Sequence, residues 1–366
     1  MQERNSSGSN NSSSGHPIWI NQFPYEGAFV QKDHLARGIL QQHGLPRPSW
    51  SIETYDLDVH FNEFVGSVLF TMEDEINKQE LYITATSTTA TDSMAITNPV
   101  EAAPLWIIKP ASGTQSQGHI VARNLAHVLR INDASGGHRV AQRYIERPVC
   151  INNHKVDCRV IVLMTSAGSI DENGHVMSLP TLYMHNICYF RIANKSHNVS
   201  TPINRNDHES VLTASHLLRD DQRTTDNELR KLPQHKDTIQ QLEREYSNAF
   251  DWDNKISPQI QTMIRELFNG MTKAYPKMIK AKYSRAVYGV DVMFQIDDSD
   301  DDDDNSSGGP TNIIITPKLT EVTFCPANNA ICDAYVRDDD LYRTYNKDIF
   351  ECLFLGIVSS TMTRLQ

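Results

Sequence analysis

No run of apolar residues in this 366-residue chain reaches the ~18 that a membrane-spanning helix requires, so the sequence offers no such span. The opening stretch, MQERNSSGSNNSSSG, lacks the apolar core of a secretory signal and reads as a disordered tail over residues 1–15. The six cysteines make no CxxC pair and no zinc spacing. Several sit inside apolar runs, as in VDCRVIV and HNICYF, which implies reduced, buried thiols and a cytoplasmic protein. A basic excess is missing too. The formal net charge is −11, and seven of the acids (Asp297, Asp298 and Asp300 to Asp304) form one run, without which the charge is −4. That balance argues against a general nucleic-acid binder. The acidic run itself lacks the spaced ligands and closing Glu of a calcium loop and reads as solvated charge.

What is present is ordinary for a folded chain: 39% hydrophobic and 22% charged residues, with length for one large domain or two to three lobes. PIWINQF is expected to be extended. KDHLARGILQQHG is expected to be helical with Gly44 as its stop. Residues 83–103 are Thr/Ser-rich and read as a surface loop. Leu105 to Ile108 form a short apolar strand ending in Lys109, followed by a polar loop holding Gly113 and Gly118. A strand over Val140 to Ile145 halts before Pro148. SLPTLYMHNICYFRIANKS reads as a strand pair. Residues 205–280 read as mostly helical, with Ser257-Pro258 as cap and first turn of the second clear helix. AVYGVDVMFQI and IIITPKLTEVTF read as a strand pair around an acidic tip.

Chemistry gathers at a few positions. In HKVDCRVIV, the residues Lys155, Asp157 and Arg159 alternate with Val156, Cys158 and Val160. A period of two puts the first three on one strand face and the apolar three on the other. The charged row then meets either solvent or a charged ligand. Lys109, at a strand end before a glycine-containing loop, has the placement to reach a phosphate. Asp291 in GVDVMFQ and Glu321 in LTEVTF share the polar face of the final strand pair, where two carboxylates suit a hard cation such as Mg2+. Solvent-facing ion pairs remain the alternative for each of these taken singly.

The ordered blocks WIIKPASGTQSQGHI, AQRYIERPVCINNHKVDCRVIVL, YFRIA, AVYGVDVMF and LTEVTFCPA resemble the tubulin–tyrosine ligase-like family, an ATP-grasp group, with INQFPYEGAFVQKDHL similar to its upstream segment. The resemblance runs from about Ile18 to the C-terminus. It implies an α+β, ATP-grasp fold with a nucleotide cleft between a central lobe (105–192) and a C-terminal lobe (193–366, with an acidic disordered loop at 297–310), after a partial N-terminal lobe (16–104). It also implies ATP-dependent joining of an amino acid to a protein carboxylate, on tubulin or another acidic-tailed protein. The expected cofactors are ATP and Mg2+; no nucleic-acid or membrane partner is expected. By the same resemblance Lys109 holds phosphates. Gln142, Arg143, Tyr144 and Ile145 line the adenine pocket, reading the base edge with backbone groups, and Lys155 and Asp157 contact the nucleotide. Arg159 and Arg191 grip the acyl phosphate or the incoming carboxylate, and Asp291, Glu321 and Thr323 hold the metal. Three departures stand out: Thr323 where the family's metal strand has Asn, His119 in place of a loop glycine, and Arg143 where Lys is common. An active ligase and a non-catalytic relative that binds nucleotide or a protein partner both remain open. A small-metabolite ATP-grasp enzyme is disfavoured by the block order.

Overall fold

Two antiparallel sheets carry the molecule in a computed structural model, which describes residues 19–86, 104–113, 117–123, 125–173, 175–193, 195–197, 212–213, 235–298, 313–326 and 339–365. The strands are β1 (Thr54–Asp56), β2 (Trp106–Pro110), β3 (Ile120–Ala122), β4 (Arg139–Arg143), β5 (Cys150–Ile151), β6 (His154–Ser166), β7 (Ser169–Ile170), β8 (Val176–Ser178), β9 (Thr181–His185), β10 (Tyr189–Ile192), β11 (Ala286–Asp298), β12 (Ile313–Phe324) and β13 (Met362–Leu365). The smaller sheet has the order β1-β4-β2-β3. The larger runs β12-β11-β6-β9-β13, with β5 and β10 also paired to β6, and β7-β8 form a separate ribbon. The helices are α1 (Gly27–Val30), α2 (Lys32–His43), α3 (Phe61–Thr86), α4 (Leu125–Ser135), α5 (His235–Tyr246), α6 (Ser257–Ala274) and α7 (Asp339–Phe350). No described helix is long and apolar enough to cross a membrane.

Alternation along the central strand sets the layers. On β6, Val156, Cys158, Val160, Val162 and Met164 join the main core, where α6 lays down Ile260, Met263, Ile264, Leu267, Phe268 and Met271. Each such buried side chain contributes about 1.5–3 kcal/mol. The opposite face of β6 divides in two. Ile161 and Leu163 pack under Tyr345 and Ile349 of α7 in a second core. Lys155, Asp157 and Arg159 lie on that same face further along the strand, toward the smaller sheet. The apolar residues that follow the charged row are therefore explained: one face passes from a polar site to a helix-covered core. The smaller sheet buries Trp106, Ile108 and Ala141 against Phe64 and Val68 of α3 and Val128 and Ile131 of α4. Its other face presents Ile107, Lys109, Val140 and Gln142.

Several expectations are refined. Helix α2 ends where Gly44 takes a φ of 69°. Helix α3 continues to Thr86, into the stretch read as loop; 87–103 lie outside the described residues. Lys109 sits within β2, which closes with Pro110, and is buried. β4 stops at Arg143, two residues earlier than expected. β9 and β10 do not pair with each other; both lie against β6, at Val162–Ser166 and at Val156–Arg159. Ser257 is the first residue of α6 and not its cap. A π-helical turn, Trp252–Ile256, leads into it and is capped by Asp251. Asp297 and Asp298 are strand residues paired with Ile314 and Ile313, and the rest of the acidic tip falls outside the described residues. Most of 205–234 also lies outside them. Cys325 is exposed, while Cys150, Cys158, Cys188 and Cys352 are buried free thiols. Backbone pairing places β1 in the sheet of β2–β4, and β11–β13 in the sheet of β6.

A bulge shapes the last hairpin. Asp291 faces Glu321 and Val292 faces Leu319, so Thr320 is an extra residue, its hydroxyl donating to the Asp291 carbonyl at 3.0 Å. The bulge switches the phase of alternation. Ile315 and Leu319 before it and Val322 after it all reach the main core, and Glu321 is left on the side of the charged row.

Candidate functional site

Lys155 and Asp157 are 2% and 3% exposed, so the charged row meets protein and not bulk water. Strand register matches each charge with a partner. Arg159 lies opposite Asp291 across β6 and β11, and Asp157 opposite Arg191 across β6 and β10. Arg159 donates from Nε and Nη2 to the two Asp291 oxygens at 2.7 and 2.8 Å. Arg191 grips Asp157 in the same forked way at 2.6 and 2.8 Å, and its Nη2 is 3.1 Å from Asp291 Oδ2. These bidentate pairs fix both guanidinium planes. Burial pushes the Asp291 carboxyl up, but the Arg191 and Arg159 guanidiniums outweigh it and hold the group below its ordinary range.

The lysines approach from the other sheet and from α2. Lys109 Nζ donates to Gln142 Oε1 at 2.6 Å, and Gln142 Nε2 donates to Thr54 Oγ1 at 3.1 Å. Burial pushes Lys109 down to about 8, against the pull of Glu321 and Asp291; Lys32 and Lys155 push the same way as burial. The four named groups are the lysine's electrostatic neighbours, which places Lys109, Lys155, Asp291 and Glu321 in one cluster. Lys155 Nζ donates to the Tyr144 hydroxyl at 3.0 Å and lies 4.3 Å from that ring's centroid. Burial sets Lys155 at about 8 as well, with Asp157 opposing. A cavity of about 30 Å³, room for about two waters, adjoins Lys32, Lys109 and Gln142.

Two side chains that join the charged cluster carry little signal in the sequence. Lys32 is buried at the first position of α2 and bridges Glu321 Oε1 at 3.1 Å and the Gly113 carbonyl at 3.3 Å. Its KD pair at a helix start looks like surface; its place beside Phe29 and Leu35 was the available signal. Thr213 donates its hydroxyl to Asp157 Oδ2, while Leu212 packs on the cluster of Leu105, Ile107, Val121 and Tyr144. Nothing in its polar neighbourhood of sequence marked it.

The residues expected at an adenine pocket divide. Gln142 and Tyr144 face the charged cluster, and Ile145 is buried just after β4. Arg143 points to the opposite face, with its guanidinium 5.7 Å from the centroid of Trp106. The N–H groups of Arg143 and Tyr144 are committed to the carbonyls of Glu53 and Leu105, at 2.8 and 2.9 Å, and are not free to read a base edge.

Donors for a hard cation sit on the last hairpin. Asp291 and Glu321 are direct cross-strand partners and supply hard oxygen atoms of the kind Mg2+ takes, but both Asp291 oxygens accept from arginines and Glu321 Oε1 accepts from Lys32, so an ion has to displace those cations. Glu321 is the more open of the two, its side chain 24% exposed. Thr323 is turned away: its hydroxyl donates to the Gly289 carbonyl at 3.2 Å. Gly289 is needed there, because a Cβ would come within 2.7 Å of Thr323 Oγ1 and 3.1 Å of Arg159 Cδ. The cluster as a whole brings Lys32, Lys109, Lys155, Arg159 and Arg191 against Asp157, Asp291 and Glu321, an excess of two positive charges. A buried cationic excess is complementary to a polyanion.

A sequence model of the Tubulin-tyrosine ligase family matches residues 12–336. Tubulin–tyrosine ligase-like protein 12 of Caenorhabditis elegans is 24% identical over 350 residues, covering 93% of this chain and 42% of the relative. Tubulin glycylase 3C of Tetrahymena thermophila is 27% identical over 195 residues, 53% of this chain and 17% of that protein. Tubulin polyglutamylase TTLL13 of Homo sapiens is 39% identical over 61 residues, 17% of this chain and 7% of that protein. The chain thus spans less than half the length of each of these relatives.

Proposed function

The chain belongs to the tubulin-tyrosine ligase family, and from that premise we propose that it is an ATP-dependent ligase with an ATP-grasp-type cleft, joining an amino acid to a carboxylate of tubulin or a similar acidic-tailed protein. The observation that carries the reading is the buried excess of cations facing Asp291 and Glu321. Lys109 and Lys155 are held near pKa 8 by desolvation, a cost that a bound polyphosphate would offset. The γ-phosphoryl group passes from ATP to the carboxylate oxygen, giving an acyl phosphate and ADP. The amine nitrogen then attacks the acyl carbon, phosphate leaves, and the nitrogen loses a proton as the amide forms.

Lys32, Lys109 and Lys155 bind the phosphates as fixed point charges. Asp157 and Asp291 hold Arg191 and Arg159 in orientation. Each guanidinium keeps further N–H donors for the acyl phosphate or the incoming carboxylate. The chemistry is positioning and charge stabilisation in a site that excludes water. Asp291 and Glu321 would hold Mg2+ by exchanging part of the Arg159 fork and the Lys32 bridge for the ion, which would supply neutralisation of phosphate charge. One observation favours a second reading, a non-catalytic nucleotide- or protein-binding relative: Thr323 bonds back to Gly289 and does not reach toward the carboxylates.

Calorimetry with Mg·ATP tests the site. We expect binding that Lys109→Ala and Glu321→Ala each weaken at least about 10-fold; no heat with the wild type refutes a nucleotide site. Incubation with tubulin, ATP and labelled Tyr, Glu or Gly tests the reaction. Nucleotide binding without incorporation, beside an active control ligase, selects the second reading.

A further inference from the structure

A second constellation of ligands, sharing no residue with the charged cluster, lies where α2 meets β1 and β4. Asp33 of α2, Asp56 at the end of β1 and His138 before β4 each offer one ligand atom, all within 4.8 Å of one another. His138 Nε2 is 2.8 Å from Asp56 Oδ1, and His138 Nδ1 is 3.6 Å from Asp33 Oδ2. Asp58 Oδ2 lies 3.4 Å from His138 Nε2 and is half exposed. The two inner carboxylates are almost wholly withdrawn from solvent, Asp56 at 0% and Asp33 at 3%. Even so, Asp33 Oδ1 and Asp56 Oδ2 are buried oxygens with no hydrogen-bond partner. Unsatisfied carboxylate oxygens at such depth are costly. The counter-charge is incomplete: Arg37, itself a third exposed, reaches Asp33 Oδ2 at 3.2 Å and Asp56 Oδ2 at 3.3 Å, leaving Asp33 Oδ1 bare.

We infer that Asp33, Asp56 and His138 form a site for a divalent transition-metal ion of the zinc class, separate from the Asp291–Glu321 pair. An imidazole with two carboxylates is a donor set of mixed nitrogen and oxygen, suited to Zn2+ and poorly suited to Mg2+. Bonds of about 2.0–2.2 Å require the ligand atoms to draw in modestly from their present spacing. His138 is 39% exposed on its side chain and gives the ion a way in. Arg37 competes for the same oxygens and swings out to solvent as the ion enters. His138 must shed its proton to bind, so loading releases protons.

The site has a structural consequence. Asp33 follows Lys32 directly. The Ala111 carbonyl accepts from the Lys32 N–H at 3.2 Å, and the Ala111 N–H donates to the His138 carbonyl at 2.9 Å. An ion here pins α2 to β1 and β4, and with them the mounts of Lys32 and Lys109. The inference does not depend on the reaction proposed above.

The test is titration of the full chain with ZnCl2 by calorimetry, and with Co2+ followed in the visible range, both without nucleotide. We expect one ion with a d–d spectrum free of thiolate charge transfer, affinity lowered about 10-fold or more by His138→Gln and by Asp56→Asn, and no change with Glu321→Gln. Arg37→Gln, which removes the competing cation, is expected to tighten zinc binding; this keeps the test decisive if Asp56→Asn fails to fold. Zinc binding to the wild type that is absent, that survives His138→Gln unchanged, or that carries a thiolate band overturns the inference, and so does weaker binding in Arg37→Gln.

Discussion

Binding of Mg·ATP near pH 8 should draw protons onto the protein. Lys109 and Lys155 are both pushed down to about 8, chiefly by burial. At pH 8 each is about half protonated, so the pair holds about one proton of a possible two. A polyphosphate beside them favours the charged form and returns both toward or above the ordinary lysine value. Uptake at pH 8 is then about one proton per ATP, falling to about 0.2 at pH 7, where only about a tenth of each lysine is neutral. The affinity should fall about tenfold for each pH unit through 8, because the cations are lost as pH rises. The stability of the free protein moves the other way. Between about 8 and the ordinary 10.5, the unfolded chain keeps protons that the folded chain has released. Stability therefore rises with pH across that window while the gain from ATP shrinks. Calorimetry in buffers of different ionisation enthalpy reads the proton count directly. Lys109→Met and Lys155→Met should each remove about half of it. An uptake near zero at pH 8, or one that neither substitution alters, refutes the reasoning.

Other perturbations separate the parts of the site. Arg191→Leu leaves Asp157 and Asp291 as poorly compensated buried carboxylates and should cost about 3–5 kcal/mol in urea unfolding; a loss below about 1 kcal/mol would contradict the pairing. Thr323→Asn supplies an amide oxygen longer than the hydroxyl that now bonds to Gly289; Mg·ATP affinity should rise, and an unchanged value means Thr323 does not limit metal binding. Gly289→Ala drives a methyl group toward Thr323 and Arg159 and should lower both stability, by about 1–3 kcal/mol, and Mg·ATP affinity; a neutral effect on both would show that the neighbours yield freely.

The charged row of β6 was legible because a two-residue period is local and survives any tertiary arrangement. Helix α2 was legible because its apolar stripe ends at a glycine. Other features depended on packing. The depth of Lys109 follows from the sheet's far face being covered by α2 and β12, which no neighbouring residue announces. β9 and β10 read as a pair because they are adjacent in sequence, yet one long strand serves both. The bulge at Thr320 did leave a trace: Ile313, Ile315 and Leu319 are odd-numbered and Val322 and Phe324 even. Alternation sends Arg143 to the face of Trp106, which a resemblance over a continuous stretch does not convey. The Asp33–Asp56–His138 constellation joins residues far apart in sequence and was not visible before the chain folded.

The single extra residue at Thr320 makes the last hairpin sensitive to how its two strands are paired. Losing any one side chain there removes one contact, but pairing the strands as an unbroken ladder, with Thr320 kept in step, would turn everything beyond it to the opposite face. Glu321 would then be driven into hydrocarbon and Val322 toward the arginines. Deleting Thr320 has the opposite result: Leu319, Glu321 and Val322 then alternate without a bulge, and acid and anchor both keep their sides.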